Sequence, residues 1–229
     1  MKWHIVGGDA FPMIEMHLEA GEAIKAESGA MVTMRGGLTL KGKMDGGFGK
    51  AMARMFTGES FFLQTIEADK GPGVVHLATP VPGGMVDVEI QEGQELIVQK
   101  NGYLASTQGV DVSSKVQSIT KGLFSGEGFF IVKLKGSGTA FLSSYGSIHA
   151  IDIPKGEDVL IDNGHIVAWD GHMKYDITKG ASSWFSAATS GEGLGCRFHG
   201  PGRVYVQTRN PYGFGVWAFP YLPIPRQHG

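Results

Sequence analysis

Apolar and polar residues alternate in three segments of the chain, and each segment ends at a glycine. In residues 14–21, apolar side chains such as Ile14 and Leu18 alternate with polar ones before the glycine. Residues 86–93 and 149–156 align with this segment when their last glycines are superimposed. An alternation of period two is typical of an antiparallel strand that buries one face. The pattern therefore predicts a β protein in which similar strands recur.

Three more landmarks follow each of these strands in the same order. They are a second strand that ends at a glycine, a short third strand, and a Gly-x-Gly turn before a final strand. The second strands end at Gly29, Gly102 and Gly164, the third strands cover residues 30–32, 103–105 and 165–167, and the turns fall at residues 71–73, 136–138 and 200–202. The Asn-Gly pairs at 101–102 and 163–164 predict tight turns, because both residue types tolerate positive φ.

The clearest repeat is a phrase built on Ser/Thr-Gly-Glu. It occurs at residues 57–62, 125–130 and 190–195, and its glutamates are 68 and then 65 residues apart. A repeat of this kind is a folding unit, and units this small bury enough surface only when they pack side by side. We therefore predict an all-β chain of three tandem, pseudo-repeated antiparallel β-sandwich units around an internal pseudo-three-fold axis. The expected bounds are residues 1–81, 82–145 and 146–218, followed by a C-terminal tail at 219–229.

Each unit also contains a short connector whose apolar residues follow helical rather than strand spacing. In the first connector they fall at positions i, i+3 and i+4, on one face of a short helix. The apolar residues of the three connectors include Met52, Met55, Phe56, Ile119, Leu123, Trp184 and Phe185. Two interpretations fit these segments. They pack over the open end of each sandwich, or they expose an apolar surface for self-assembly, for a protein partner or for a membrane surface.

Composition narrows the class of protein. Glycine supplies 36 of 229 residues, about twice its ordinary share, as short strands joined by tight turns require. The net charge is −2 and the pI about 6.4, and without a Lys/Arg block no nucleic-acid partner is expected. Cys196 is the only cysteine, so it is interpreted as a small core residue. No apolar stretch is long enough to span a bilayer, which predicts a soluble, cytoplasmic protein.

The repeated phrase places three glutamates in the same local context. The residues concerned are Gly58, Glu59, Gly126, Glu127, Gly191 and Glu192. Three carboxylates around an axis would suit a cation, but each also suits a turn in which the carboxylate accepts backbone N–H bonds. Because the phrase recurs in all three units, we favour the structural role. No catalytic residue, metal site or cofactor is assigned.

Two histidines mark places where the repeats differ. His149 replaces an apolar residue on one face of its strand and is interpreted as a hydrogen-bonded core or rim residue. His165 lies at the start of the third strand of the last repeat. The spacing of the histidines does not match a zinc-binding motif. These two residues are the asymmetric polar candidates for a ligand site between units.

The phrase Ser/Thr-Gly-Glu-x-Phe-Phe, the glycine-rich run before it and the triplication together resemble the altered-inheritance-of-mitochondria family. The resemblance covers about residues 1–218 and is most specific at residues 58–62. It implies three tandem domains like the tryptophan RNA-binding attenuation protein, each a small antiparallel β-sandwich. It implies no activity, substrate or catalytic set.

Three functional hypotheses follow. The first is a non-enzymatic scaffold or binding protein that forms a homo-oligomer through strand edges and the connectors. The second is a small-ligand binder or an enzyme with a site between units, where clefts between domains lie. The third is RNA binding by analogy of fold. Fold does not imply function, and the acidic pI also argues against this hypothesis.

Overall fold

The computed structural model describes residues 1–42, 63–117, 129–179 and 194–222. Over these residues the chain forms β-strands, one α-helix and three short 3-10 helices. The strands are β1 (Lys2–Val6), β2 (Met13–Leu18), β3 (Ala23–Glu27), β4 (Met31–Gly36), β5 (Thr39–Gly42), β6 (Leu63–Glu67), β7 (Gly73–Leu77), β8 (Met85–Ile90), β9 (Glu95–Gln99), β10 (Tyr103–Thr107), β11 (Val110–Gln117), β12 (Phe129–Gly136), β13 (Gly138–Ser143), β14 (Ile148–Ile153), β15 (Asp158–Asp162), β16 (Ile166–Asp170), β17 (Lys174–Lys179), β18 (Leu194–His199) and β19 (Gly202–Gln207). The helix α1 spans Pro211–Ala218, and the 3-10 helices span Lys100–Gly102, Asn163–His165 and Phe219–Tyr221. The predicted all-β class is confirmed.

The strands form four sheets. Sheet 1 has the order β1-β2-β7-β4, and sheet 2 has the order β5-β6-β3-β10-β13-β8. Sheet 3 has the order β11-β12-β9-β16-β19-β14, and sheet 4 the order β15-β18-β17. The pairings within each sheet are antiparallel. The predicted helical connectors lie outside the described residues.

The sheets stack in sequence, and an apolar core fills each space between neighbours. Core 1, between sheets 1 and 2, includes Ile14 and Phe141. Core 2, between sheets 2 and 3, includes Tyr103, and core 3, between sheets 3 and 4, includes Trp169 and Phe198. Because successive side chains of a strand point to opposite faces, sheets 2 and 3 contribute to a core on both sides.

The alternation read from the sequence matches the burial of β2. Ile14, Met16 and Leu18 are buried, and the residues between them are half-buried. The third copy of the pattern departs from this, because His149 is exposed. His149 lies on β14, one of the two outer strands of sheet 3, and within the described residues β14 pairs with β19 alone. It is therefore a surface residue and not part of a core.

Glycine has two distinct roles in the turns. Gly21, Gly93 and Gly156 have φ values of +84°, +84° and +87°, which side chains with a Cβ rarely adopt. The tight turns predicted at the Asn-Gly pairs are present as short 3-10 helices, in which Gly102 and Gly164 do not have positive φ. At both glycines a Cβ would approach another segment closely. A Cβ at Gly102 would lie 2.9 Å from the Cγ1 atom of Val167, and one at Gly164 would lie 2.2 Å from the Asn210 amide.

Replacing Gly93 by alanine is expected to lower the free energy of unfolding by about 1 kcal/mol, because the added Cβ strains a left-handed backbone. Among the described residues no heavy atom lies within 4 Å of the position of that Cβ, so the expected cost comes from the backbone. Urea denaturation of the two proteins measures it. Gly215→Ala, in the exposed helix α1, is the control and is expected to leave stability unchanged or slightly higher. Equal effects of the two substitutions would contradict the assignment.

Sheets 2 and 3 each combine strands from two of the predicted units. In sheet 2, β5, β6 and β3 come from residues 1–81, and β10, β13 and β8 come from residues 82–145. Sheet 3 joins β11, β12 and β9 to β16, β19 and β14 in the same way. We call the two contacts, β3 with β10 and β9 with β16, the internal junctions. The predicted unit bounds stay a prediction.

Candidate assembly edges

The interaction and motif residues predicted from the sequence lie outside the described residues. They fall within residues 43–62, 118–128 and 180–193. The residues are Met52, Met55, Phe56, Gly58, Glu59, Ile119, Leu123, Gly126, Glu127, Trp184, Phe185, Gly191 and Glu192. Their roles stay predictions, and the candidate site described below is built from other parts of the chain.

The two internal junctions have the same register. At the first junction, Ala105 lies opposite Ala26 and Ser106 lies opposite Lys25. At the second junction, the equivalent pairs are Ala168 with Val98 and Trp169 with Ile97. Both pairs of strands are antiparallel, so backbone hydrogen bonds run continuously from one predicted unit into the next.

The strands β4, β10 and β16 share an irregularity that aligns them residue by residue. Each pairs with the strand beside it, namely β7, β13 and β19, with a register shift after its first residue. The residue skipped at the shift is Val32, Leu104 or Val167. Such a bulge is a specific local feature, and its threefold recurrence makes β4 the structural counterpart of β10 and β16.

The strand β4 is open where its counterparts are closed. Within the described chain, β4 ends sheet 1 and pairs with β7 alone, whereas β10 and β16 have partners on both sides. Residues 103–106 of β10 and 166–169 of β16 are all buried. On β4, every residue except Met34 is exposed. We call this the β4 edge.

Within the described residues, the strand β15 has an unpaired side where β3 and β9 pair with the strands β10 and β16. It occupies the place of β3 and β9, since each of these strands begins two residues after one of the turn glycines Gly21, Gly93 and Gly156. Both β3 and β9 lie inside a six-stranded sheet, but β15 pairs, in the described chain, with β18 alone. We call this the β15 edge.

Apolar side chains are exposed at both edges. Val32 is 53% exposed, whereas its counterparts Leu104 and Val167 are buried in cores 1 and 2. Leu160 is 50% exposed, whereas Ile97, at the same distance from its turn glycine, is buried in core 3. Exposed strand edges with apolar residues are ready templates for pairing with another chain.

A row of polar side chains crosses sheet 1 and reaches the β4 edge. One oxygen of Glu15 lies 2.8 Å from Nε2 of His17, and the other lies 3.0 Å from Nε2 of His76. Nδ1 of His76 lies 2.7 Å from the Thr33 hydroxyl on β4. The hydrogen bonds from His17 and His76 hold the pKa of the Glu15 carboxyl below its ordinary value, against the opposing effect of desolvation.

The lowered pKa of Glu15 makes part of the stability depend on pH. A carboxyl whose pKa is lower in the folded state stabilises the fold above its unfolded pKa and loses that effect as pH falls through the folded value. Glu15→Gln is therefore expected to lower Tm at pH 6, and the difference is expected to shrink as pH falls below the ordinary glutamate pKa of about 4.3 and through the lower folded value. Thermal melts across this range measure it. Glu92→Gln, in an exposed turn, is the control, and a constant Tm difference for Glu15→Gln at all pH values would contradict the assignment.

The helix α1 presents a second exposed surface. Asn210 caps it, because the side-chain oxygen accepts hydrogen bonds from the N–H groups of Tyr212 (2.9 Å) and Gly213 (3.3 Å). The helix and the turn after it expose Tyr212, Phe214, Val216, Trp217, Phe219, Tyr221 and Leu222. Residues 210–222 contain no charged side chain. An exposed apolar cluster of this kind marks an interaction surface.

A cavity of about 410 Å³ lies beside α1, between segments of several predicted units. Its lining includes Gln99, Tyr145, Asn163, Gln207 and Tyr212. The side-chain oxygen of Asn163 is buried and has no hydrogen-bond partner within the described structure. His165 lies close to this cavity, with its Nδ1 2.7 Å from the Gln207 carbonyl. The lining suits a polar ligand that donates a hydrogen bond.

The remaining candidate for chemistry, Cys196, is a core residue. Cys196 is buried in core 3, and burial, together with the nearby Asp162, raises its pKa to about 11. A thiol of this kind is unreactive near neutral pH. Within the described ranges, His, Cys, Asp and Glu form no group of three that suits a metal ion. None of the described helices combines the length and apolar character that a bilayer crossing needs.

The stacked antiparallel sheets place the described chain among the all-β proteins. The family model described as mitochondrial biogenesis AIM24 matches residues 3–209, and the chain belongs to this family. The resemblance seen in the sequence is thus confirmed. An uncharacterized protein of Streptococcus pyogenes serotype M6 is 34% identical over 97% of this chain and 92% of its own length. A crystal structure of a Streptococcus pyogenes protein matches with a TM-score of 0.80 and 29% identity, over 96% of this chain and 99% of that chain.

Sequence reasoning missed both edges and the helix α1. The strands of the edges were foreseen, but alternation along one strand carries no information about its neighbour. For α1 a signal existed in the sequence, since the uncharged, aromatic run at 210–222 is unlike any other part of the chain. Only its last residues were set apart, as the start of a C-terminal tail.

Proposed function

We propose that the protein is a non-enzymatic scaffold that assembles with copies of itself. The observation that carries this proposal is the pair of open edges, β4 and β15, whose counterparts inside the chain pair with each other twice. Two complementary open edges let one molecule continue the sheet of another. This is the same interaction as the addition of a strand to an exposed sheet edge. The exposed aromatic residues of α1 supply a further surface for a binding partner.

Sedimentation velocity of the wild-type protein over a range of concentrations tests this proposal. We expect species whose masses are multiples of the 24.5 kDa chain and whose proportion rises with concentration, as mass action requires. A monomer at every concentration up to about 1 mM would overturn the proposal. Association with a dissociation constant above about 1 mM would be weaker than about 4 kcal/mol, too weak for a scaffold.

The cavity beside α1 favours a second function, the binding of a small polar ligand. The supporting observation is the buried side-chain oxygen of Asn163, which lacks a hydrogen-bond partner in the described structure. Native mass spectrometry of protein purified gently from its own host tests it. An added mass of a few hundred daltons, lost in Asn163→Leu and kept in the exposed control Asp162→Asn, would support a ligand site. A bare chain mass under the gentlest conditions would contradict it.

A further inference from the structure

We propose that β15 of one molecule pairs antiparallel with β4 of a second copy of the chain, with Leu160 opposite Met34 and Ile161 opposite Thr33. This inference rests on the proposed self-assembly and specifies its interface. It is drawn from the two internal junctions, which show how a strand in the place of β15 meets a strand in the place of β4.

The register follows by counting along each strand. Lys25 and Ile97 lie four residues after their turn glycines, Gly21 and Gly93, and Leu160 lies four residues after Gly156. At the internal junctions, Lys25 faces Ser106 and Ile97 faces Trp169.

Ser106 and Trp169 are each the fourth residue of their strands, and the fourth residue of β4 is Met34. The same offset therefore places Leu160 opposite Met34. At the next pair of each junction, Ala26 lies opposite Ala105 and Val98 lies opposite Ala168. The same offset therefore places Ile161 opposite Thr33.

This register buries the apolar side chains that the edges expose. Met34 packs against core 1 of its own molecule, so Leu160 of the neighbour would extend that core, as Ile97 does for core 3. Val32 would turn towards core 3 of the neighbour, as Leu104 and Val167 turn towards the core of the preceding unit. The half-exposed side chains of Leu160 and Val32 thus gain the burial that Ile97, Leu104 and Val167 have, and the burial of apolar surface favours association.

The other open strands offer no matching pair of edges. The strands β5, β11 and β17 occur once in each predicted unit and, in the part of the chain that the structure describes, are open each time, so no counterpart shows what would cover them. The strands β8 and β14 are also open, and their counterpart β2 is covered by β1. Because β1 already pairs with β2 in every copy, the described chain leaves no free strand in the place of β1. The β4 and β15 edges differ because both are open and their counterparts pair with each other inside the chain, so a second copy of this chain is the partner with a matching edge.

The assembly is head-to-tail. Joining the four strands of sheet 1 to the three of sheet 4 gives a sheet of seven strands, close in size to the six-stranded sheets 2 and 3. The two surfaces in contact differ, so the interface is heterologous, and repeated addition produces a closed ring or a filament.

The contact between copies is expected to be weaker than the internal junctions. In sheets 2 and 3 the positions opposite Ala105 and Ala168 are held by Phe141 and Tyr205, both buried. In sheet 1 the position opposite Thr33 is held by His76, which is hydrogen-bonded to Thr33 and Glu15. A polar face gains less from burial than an aromatic one, so the assembly dissociates on dilution.

Disulfide cross-linking between two single variants tests the register. Met34→Cys and Leu160→Cys are purified separately, mixed and oxidised. Residues directly opposite in an antiparallel pair have Cα atoms about 4.5–5.5 Å apart, which a disulfide spans. We expect a covalent dimer of twice the 24.5 kDa chain mass from the mixture and none from either variant alone. The native Cys196 is buried and does not contribute.

A matched control uses the next residue on the same strand. Arg35→Cys is mixed with Leu160→Cys, and because neighbouring residues point to opposite faces, these two thiols cannot meet. A dimer in both mixtures would overturn the register. Absence of the dimer from the first mixture, while wild-type protein sediments as an oligomer, would overturn this interface and leave the self-assembly proposal standing.

Two other results would also overturn the proposed interface between β4 and β15 of two copies. A wild-type protein that stays monomeric, with no dimer in any mixture, would remove the proposed function together with this interface. An internal disulfide in the double variant Met34→Cys/Leu160→Cys at monomer mass, with no dimer from the mixed single variants, would show that the two edges meet within one chain.

Discussion

Phe141→Ala is expected to lower the free energy of unfolding by about 3–5 kcal/mol, the largest stability effect we expect from a single change in the described chain. Phe141 is fully buried on β13 in core 1. Its ring meets Trp3 of β1 edge to face, with ring centroids 5.4 Å apart at 82°. Removing the ring leaves a cavity between sheets 1 and 2 and also removes this aromatic pair, which is worth about 0.5–1.5 kcal/mol by itself.

Urea denaturation of the wild-type and variant proteins measures this effect through the midpoint at an unchanged slope. Phe11→Ala is the matched control, because Phe11 is 74% exposed and its loss is expected to change stability by less than about 0.5 kcal/mol. A cost below about 1 kcal/mol for Phe141→Ala would show that core 1 does not bind sheets 1 and 2 together as the structure indicates.

The sequence predicts the strands of this fold better than their partners. The alternation at Ile14, Met16 and Leu18 predicts a half-buried strand, and a shared hydrophobic face is a property of the strand itself. The pairing of β3 with β10 joins residues that are far apart in the chain, and no local pattern encodes it. The continuation of sheets across the predicted units was therefore visible only in the structure.

Local signals also failed where tertiary contacts decide the conformation. The Asn-Gly pairs predict tight turns because both residue types tolerate positive φ, yet Gly102 and Gly164 do not adopt it and instead allow the close approach of Val167 and Asn210. His149 was expected on the inner face of its strand, but the strand lies at the edge of its sheet and the side chain is exposed. In both cases a neighbouring segment, and not the residue type, sets the environment.

The candidate site was beyond prediction for a related reason. Val32 and Leu160 look like ordinary strand residues in the sequence, and they stand out only because Leu104, Val167 and Ile97 are buried at the corresponding places. Exposure of an apolar side chain is informative when its structural counterparts show what normally covers it. That comparison needs the aligned strands and the bulges of β4, β10 and β16.

Leu160→Lys is expected to convert the assembled protein into folded monomers, raising the dissociation constant at least about 30-fold. Leu160 lies at the centre of the five-residue strand β15, and in the proposed interface it packs against Met34 of the next copy. A lysine there places a charge in an apolar contact, with a cost of about 2 kcal/mol or more. Lysine on an edge strand is also a common natural protection against unwanted pairing.

Sedimentation velocity measures the change in mass, and thermal melting shows whether the monomer remains folded. Because Leu160 is 50% exposed in the single chain, the substitution is expected to change monomer stability by less than about 0.5 kcal/mol. Phe11→Lys is the control for adding a lysine to an exposed apolar position away from both edges, and it is expected to leave the oligomer intact. An unchanged oligomer in Leu160→Lys would exclude the β15 edge as the contact between copies, whereas loss of the oligomer in both variants would attribute the effect to net charge.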